Sequence, residues 1–149
     1  MVKEIHLGEI ILRRYEKPYE MNDRELMKKV CLSLGLLQPG DSRDIIVDIM
    51  LILEEARKNK VWLSSFEIRD KVEQFRKDNS LESKGLAESN IRRQLKRLQD
   101  SMIIDKKENK YRISEFESLS YIFHNKIEKF LLPQIMERVK EYLGKLEKQ

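Results

Sequence analysis

Positively charged side chains are concentrated in one part of this 149-residue chain, between residues 84 and 112. That stretch contains nine lysines and arginines and four carboxylates, a net charge of +5, whereas the whole chain carries only +4. The remaining 120 residues therefore carry −1 in total. A compact cationic region in an otherwise nearly neutral chain is typical of a surface that binds phosphate groups.

The first half of this region, residues 88–101, has the apolar spacing of a helix with one buried face. Ile91, Leu95 and Leu98 fall within a narrow arc at 100° per residue. The opposite arc and its shoulders carry side chains that can hydrogen-bond to bases and phosphates: Ser89, Asn90, Arg92, Arg93, Lys96 and Arg97.

Each of these side-chain types has a partner in the major groove of DNA. Arg can donate two hydrogen bonds to guanine O6 and N7, Asn can pair with adenine N6 and N7, and Ser can bind base or phosphate. We expect Arg93, with Arg92 and Asn90, to contact base edges. Lys96 and Arg97 lie further along the helix, where phosphate contacts are expected.

The second half of the region, residues 103–113, alternates like a β-hairpin with its turn near Glu108-Asn109. Ile104, Tyr111 and Ile113 could share one face of that hairpin. Its cations are expected to contact the flanking DNA backbone or the minor groove; they are Lys106, Lys107, Lys110 and Arg112.

Four further elements must position this region. Asn22 or Asp23 can cap a helix over residues 24–37, with inward-facing side chains at Leu26, Val30, Leu34 and Cys31. Asp41 or Ser42 can cap the next helix, over 43–58, which is apolar nearly all round and therefore belongs at the centre of the fold. A short β-inclined piece, 61–63, follows it. Residues 64–67 then match a capping box, which opens a helix with Phe66, Ile68, Val72 and Phe75 facing inward.

The order of elements from residue 41 is helix, short strand, helix, loop, helix, hairpin and long helix. That order, with the run GLAESNIRRQLKRLQDSMIIDKKENKYRIS, resembles winged helix-turn-helix transcription regulators of prokaryotes and archaea. The resemblance covers roughly residues 41–114, with Gly85 at the turn and Leu86 at the apolar position after it. Ala87 stands where the family usually has Ser or Thr, and the loop 78–84 is longer than a tight helix-turn-helix connection.

The resemblance implies a mainly α fold with a small β-hairpin. We expect a winged helix-turn-helix with an extra N-terminal helix and a long C-terminal helix, in three parts. These are an N-terminal extension (1–40), a winged-helix DNA-binding domain (41–114) and a C-terminal helical dimerisation segment (115–149). The recognition helix would span about 88–101 and the basic wing about 103–113.

The C-terminal segment is expected to start at a second capping box, residues 114–117, and to continue as one helix. Pro133 lies inside its apolar stripe and should kink or break it. An apolar stripe beyond a complete small domain needs cover. A twin helix would supply that cover, and a dimer would let two recognition helices reach half-sites about 34–36 Å apart, so we expect a homodimer through this helix. The alternative is that the helix folds back on its own domain or on the N-terminal helix.

Other kinds of chemistry find little in the sequence to support them. The lone Cys31 excludes an internal disulfide and a cysteine-built zinc site, and His6 and His124 lack metal-ligand companions. Phosphate-loop, serine-elbow and HExxH motifs are missing, so we expect no catalytic residues, no metal, no cofactor and no enzymatic activity. No apolar stretch approaches the ~20 residues of a membrane span, and the N-terminus does not fit a secretion signal. The expected location is cytoplasmic and nucleoid-associated.

The leading interpretation is a sequence-specific double-stranded DNA-binding protein, a transcriptional regulator acting as a dimer. The first alternative is a winged-helix protein-interaction module within transcription or replication machinery, with residues 5–37 and the C-terminal helix as docking surfaces. A plasmid or viral replication initiator would share the same DNA-binding logic. Against all three stands the simplest alternative, in which the charged helix face is merely solvated.

Overall fold

Helices account for most of the computed structural model, which describes residues 4–149, and three short strands form one antiparallel sheet. The expectation of a mainly α chain with a small hairpin is confirmed. The elements are α1 (Asp23–Ser33), α2 (Ile45–Lys58), β1 (Leu63–Ser64), α3 (Ser65–Asp78), α4 (Glu88–Asp100), β2 (Ile104–Lys107) and β3 (Lys110–Ile113). A 3-10 turn (Ser114–Phe116), α5 (Leu119–Ile122), a π-helical segment (Phe123–Leu131) and α6 (Leu132–Glu147) complete the chain.

Helix α2 lies at the centre of the core, as its apolar circumference predicts. Ile49, Met50 and Leu53 are completely buried, and α2 packs against α1, α3 and β3. The expected cap at Asp41 or Ser42 is wrong. Asp41 accepts a hydrogen bond from the Arg43 N–H instead, at 2.8 Å, and the helix begins at Ile45, two residues later than predicted.

Helix α1 is capped by Asn22, whose side chain accepts a hydrogen bond from the Glu25 N–H at 2.8 Å. Asn22 was one of the two predicted caps. The buried face of α1 differs from the prediction. Met27 and Cys31 are buried whereas Leu26 is 44% exposed. The buried side chains of α1 belong to the same hydrophobic cluster as those of α2, so the N-terminal helix shares the core of the following elements.

A buried ion cluster, defined here as Arg24, Asp44, Asp48 and Arg76, joins the first three helices. Arg24 Nε lies 2.9 Å from Asp48 Oδ1, and its Nη2 lies 3.0 Å from Asp44 Oδ2. Arg76 from α3 also pairs with both carboxylates. Asp48 is completely buried, so its charge is stable only because two guanidiniums surround it.

The sheet has strand order β1-β3-β2, and its hairpin matches the prediction. Ile104 pairs with Ile113, and Lys107 pairs with Lys110. Between them Glu108 and Asn109 both have positive φ, 52° and 64°, which is the type I′ turn that suits a two-residue hairpin. The shared face of Ile104, Tyr111 and Ile113 is buried, as expected.

The C-terminal helical run begins later than predicted and is not broken. The second capping box is wrong, because Ser114 starts a 3-10 turn and the helix is capped by Ser118, whose Oγ accepts from the Tyr121 N–H at 3.1 Å. Of the kink or break expected at Pro133, the break is absent, since Leu131 and Leu132 keep helical dihedral angles. The change falls in hydrogen-bond register instead, where the Leu132 N–H donates to the Ile127 carbonyl in the wide π pattern.

Candidate nucleic-acid interface

Helix α4 buries one face and exposes the other, as its spacing predicts. Ile91, Leu95 and Leu98 are completely buried, which fixes the rotation of the helix against the core. On the outer face Ser89, Arg92, Arg93 and Lys96 are exposed. The long side chains of this face are therefore accessible to a partner, while the leucines hold the helix in place.

The hydrogen bonds and ion pairs of the exposed cations of α4 are made to neighbouring residues of the same helix. Arg92 Nε lies 3.3 Å from Glu88 Oε1, and Lys96 Nζ lies 3.0 Å from Asp100 Oδ1. Arg93 donates to the Asn90 side-chain oxygen at 2.6 Å. Solvent-exposed pairs of this kind are worth little, so a phosphate can replace the carboxylate at small cost.

Two of the predicted α4 contacts are used inside the protein instead. Asn90 is half-buried, and its Nδ2 donates to the Gly85 carbonyl at 2.8 Å. This bond braces the turn before α4, where Gly85 has φ +80° and Ala87 gives no side-chain cap. Arg97 is also half-buried, and its Nη2 donates to the Leu36 carbonyl at 2.7 Å, which links α4 to the segment after α1. Neither side chain is carried into the candidate surface.

Arg112 is the third predicted contact that the structure uses internally. Its Nε donates to Asp105 Oδ2 at 3.1 Å, and its guanidinium lies 4.4 Å and 4.8 Å from the ring centroids of Trp62 and Phe116. A guanidinium held by two aromatic faces and a carboxylate fixes the base of the hairpin. The other three hairpin cations, Lys106, Lys107 and Lys110, are exposed as expected.

The start of α3 joins the exposed cations of the hairpin to those of α4. In the sheet, Lys110 is opposite Ser64, the N-cap of α3. The next residue, Ser65, donates its hydroxyl to Glu88 Oε1 at 2.6 Å, at the beginning of α4. Both groups of cations are thereby attached to one short segment. We call the six exposed side chains the cationic surface: Arg92, Arg93, Lys96, Lys106, Lys107 and Lys110.

Phe66 was predicted to be core but belongs to this neighbourhood. It is 60% exposed, and the Arg92 guanidinium lies 5.7 Å from its ring centroid. The sequence contained a signal for this outcome, since Ser64 and Glu67 form the capping box that was predicted and observed. Phe66, just before Glu67 in the first turn, can point outward while Ile68 points inward. The aromatic ring gives the cationic surface one apolar contact point.

Carboxylates only partly offset the cationic surface. Three carboxylates of α4 and the hairpin are not held by an internal arginine: Glu88, Asp100 and Glu108. Together with the six cations of the surface they give a net charge of +3. Glu67 lies beside the surface, and hydrogen bonds from Ser64 lower its pKa, with a smaller contribution from the charge of Lys110. That ionised carboxylate occupies the amino end of α3, so this helix terminus does not serve as an anion site.

Residues 4–149 also bear on two other types of site, a metal centre and a membrane span. Within that range there is no group of three or more His, Cys, Asp or Glu side chains placed to hold a metal ion. None of the helices described is both long enough and apolar enough to cross a membrane. Comparison with protein-family models, with curated proteins and with solved structures gave no match to this chain.

Proposed function

We propose that this chain binds double-stranded DNA through the cationic surface and acts as a transcriptional regulator. The observation that carries the proposal is the arrangement of α4, which buries its apolar residues completely and presents Arg92, Arg93 and Lys96 outward. The order of elements from α2 to β3, and the three-stranded sheet, also suit the winged helix-turn-helix resemblance of the sequence.

The mechanism places α4 in the major groove. A helix with its side chains is about 10–12 Å across, which matches a groove about 12 Å wide. Arg93 and Arg92 would donate to guanine edges, and Ser89 would bind a base or phosphate. Lys96 and the hairpin lysines would bind phosphates on either side, and each such contact releases condensed counterions.

The test measures duplex affinity against a random pool and against the sequence selected from that pool, at several salt concentrations. Arg93→Ala should cost about 1–3 kcal/mol on the selected sequence and relax its specificity. Lys107→Ala should weaken both duplexes similarly and reduce the salt slope by about one. Arg138→Ala, which removes an exposed cation from α6, is the matched control and should leave affinity unchanged. Unchanged affinity in both surface variants would refute the proposal.

The alternative of a protein-interaction module has one observation in its favour. The N-terminal segment exposes Ile5 and Leu7, and α6 exposes several large apolar side chains. Weak duplex binding that is indifferent to sequence and to Arg93→Ala would favour this alternative over the regulator.

A further inference from the structure

The exposed Arg93 side chain is held by a hydrogen bond on its own helix. Its Nη2 donates to the Asn90 side-chain oxygen at 2.6 Å. A guanidinium has five N–H donors, so this bond leaves Nε and Nη1 available for a two-point contact with a guanine edge. The groups that fix Asn90 therefore also decide where the Arg93 guanidinium lies.

The orientation of the Asn90 amide is set by its partners. Its Nδ2 donates to the Gly85 carbonyl at 2.8 Å, while its Oδ1 accepts from both Arg93 and Gln94. A Cβ atom at position 85 would lie 3.0 Å from that Nδ2, so the glycine also provides the space that the amide occupies. Rotating the amide by 180° would place a donor against two donors and a carbonyl against a carbonyl. Asn90 therefore presents an acceptor, and not a donor, to Arg93.

Gln94 supports the same oxygen from one turn further along α4 and is itself fixed by Arg97. Gln94 Nε2 donates to Asn90 Oδ1 at 3.3 Å, and Gln94 Oε1 accepts from Arg97 Nη1 at 2.7 Å. Only one orientation of the Gln94 amide makes both bonds. Asn90, Gln94 and Arg97 are all half-buried, where hydrogen bonds are stronger than in open water.

Arg97 connects these hydrogen bonds to the core of the protein. Its Nη2 donates to the Leu36 carbonyl at 2.7 Å, and Leu36 is buried in the turn after α1. Arg13 of the N-terminal segment binds the same turn, with its Nη1 3.0 Å from the Leu32 carbonyl and 3.1 Å from the Leu37 carbonyl. Two arginines from separate parts of the chain thus fix the turn to which Arg97 is attached.

We propose that Asn90, Gln94 and Arg97 form a relay that positions the Arg93 guanidinium for base contacts, an inference that rests on the proposed function. The three are positioning residues, because among these four side chains only Arg93 would touch the bases. Ordering a long side chain before binding removes the entropy cost of ordering it in the complex, and a fixed guanidinium distinguishes bases better than a mobile one. The relay therefore acts on sequence selectivity, whereas attraction to phosphate depends on charge.

A double-mutant cycle between Gln94 and Arg93 tests the relay. The measured quantity is selectivity, the ratio of affinity for the selected duplex to affinity for the random pool. Gln94→Met removes both amide bonds without changing charge, so selectivity should fall roughly three- to tenfold, while random-pool affinity and its salt slope should not change. Gln99→Met makes the same substitution on the same helix outside the relay, and is the matched control that should keep wild-type selectivity.

The cycle separates failure of the relay from failure of the proposed function. In the Arg93→Ala background Gln94→Met should have no further effect on selectivity, because the residue that it positions is gone. A full effect in that background would overturn the relay. Lost selectivity in Arg93→Ala with none lost in Gln94→Met would also overturn the relay and leave the proposed function standing. Unchanged selectivity in Arg93→Ala would overturn base reading by Arg93, and the relay with it.

Nuclear magnetic resonance of the chain without DNA gives the second readout. The order parameter of the Arg93 Nε–H should fall in Gln94→Met, whereas that of Arg92, which pairs with Glu88, should stay the same. The fold should survive, since Gln94 is only half-buried and Met suits a helix. Equal loss of order at both arginines would indicate general loosening of α4, and unchanged order at Arg93 would show that the relay does not hold it. Either result would overturn the proposal.

Discussion

The buried ion cluster and the cationic surface use the same residue types for different purposes. In the cluster two arginines meet two carboxylates at positions that are half-buried or buried, and every charge has a partner from another part of the chain. On the cationic surface six exposed cations are only partly matched by carboxylates, with Arg92 paired to Glu88 and Lys96 paired to Asp100 along the same helix. Burial and compensation, rather than residue type, therefore separate a charge that holds the fold from one available to a ligand.

Strand β3 shows the same contrast between two residues that are two positions apart. Arg112 is held by Asp105 between two aromatic rings, whereas Lys110 is exposed opposite Ser64. A cation that holds the fold can thus stand two positions from an exposed cation in one short strand. Charge density along the sequence overestimates a binding surface for this reason.

The largest effect should come from Asp48→Ala in the buried ion cluster. Removing that carboxylate leaves Arg24 and Arg76 short of negative partners in the interior, and breaking a buried pair in this way costs about 3–5 kcal/mol. Denaturant unfolding should show the loss. Asp100→Ala, which removes an exposed carboxylate, should change stability by less than about 0.5 kcal/mol. If the two variants lost the same amount of stability, the distinction between the buried ion cluster and the cationic surface would be wrong.

The next effect compares Arg112→Ala with Lys110→Ala. Loss of the Arg112 guanidinium removes two aromatic contacts and one ion pair, and we expect about 1–2 kcal/mol of destabilisation. Lys110→Ala should leave stability nearly unchanged and weaken duplex binding. Thermal unfolding followed by Trp62 fluorescence, together with a duplex titration, measures both quantities. If Lys110→Ala destabilised the fold and Arg112→Ala weakened only duplex binding, the assignment of residues to the cationic surface would be wrong.

Acid should destabilise the fold by protonating its carboxyl groups, whereas the lysines and arginines keep their charge at low pH. For Asp105 burial raises the pKa, but hydrogen bonds from the Glu115 N–H, Arg112 and Ser114 outweigh it and lower the pKa below 3.8. For Asp44 burial likewise raises the pKa, and the bond to Arg24 with the charges of Arg24 and Arg76 outweighs it. A lowered carboxyl pKa contributes stability that is complete above the unfolded value and is lost as pH falls through the folded value.

Stability should accordingly be flat near neutral pH and fall once the pH drops below about 4. Equilibrium unfolding as a function of pH measures the slope. In Asp105→Asn that slope should be shallower, because one carboxyl group with a lowered pKa is gone. An unaltered acid slope in this variant would mean that the hydrogen bonds to Asp105 contribute nothing to folding.

The smallest effect should come from Asp100→Asn on the cationic surface. Its carboxylate competes with phosphate for Lys96, and exposed pairs are worth less than about 1 kcal/mol. Duplex affinity should rise slightly, within that limit, and stability should not change measurably. A fall in affinity would show that Asp100 helps to position Lys96 rather than to compete for it.

The sequence predicted best what depends on local pattern. The caps at Asn22 and Ser64, the buried face of α4 and the turn at Glu108-Asn109 all follow from a few neighbouring residues, and the structure contains them. The long-range contacts were not predictable in this way. Nothing near Arg97 in the sequence indicates that it binds the Leu36 carbonyl, 61 residues away.

The errors of prediction have two origins. Phe66 was assigned to the core because apolar residues usually lie inside, yet its place in the first turn of α3 leaves it exposed. Ser114 has the spacing of a capping box, but its side chain bonds to Asp105 and Lys126, and the helix starts at the next suitable serine. For Ser114, tertiary contacts decided between two locally acceptable helix starts, whereas the position of Phe66 follows from the local geometry of the capping box.

The π-helical segment before α6 has a geometric consequence for the whole C-terminal end. Each residue added to or removed from an α-helix rotates everything beyond it by about 100°. The π-type hydrogen-bond register between Phe123 and Leu131 therefore sets the direction in which every side chain from Pro133 onward points. Shortening that segment by one residue would rotate the exposed side chains of α6 to a different side of the molecule, without changing the internal structure of α6.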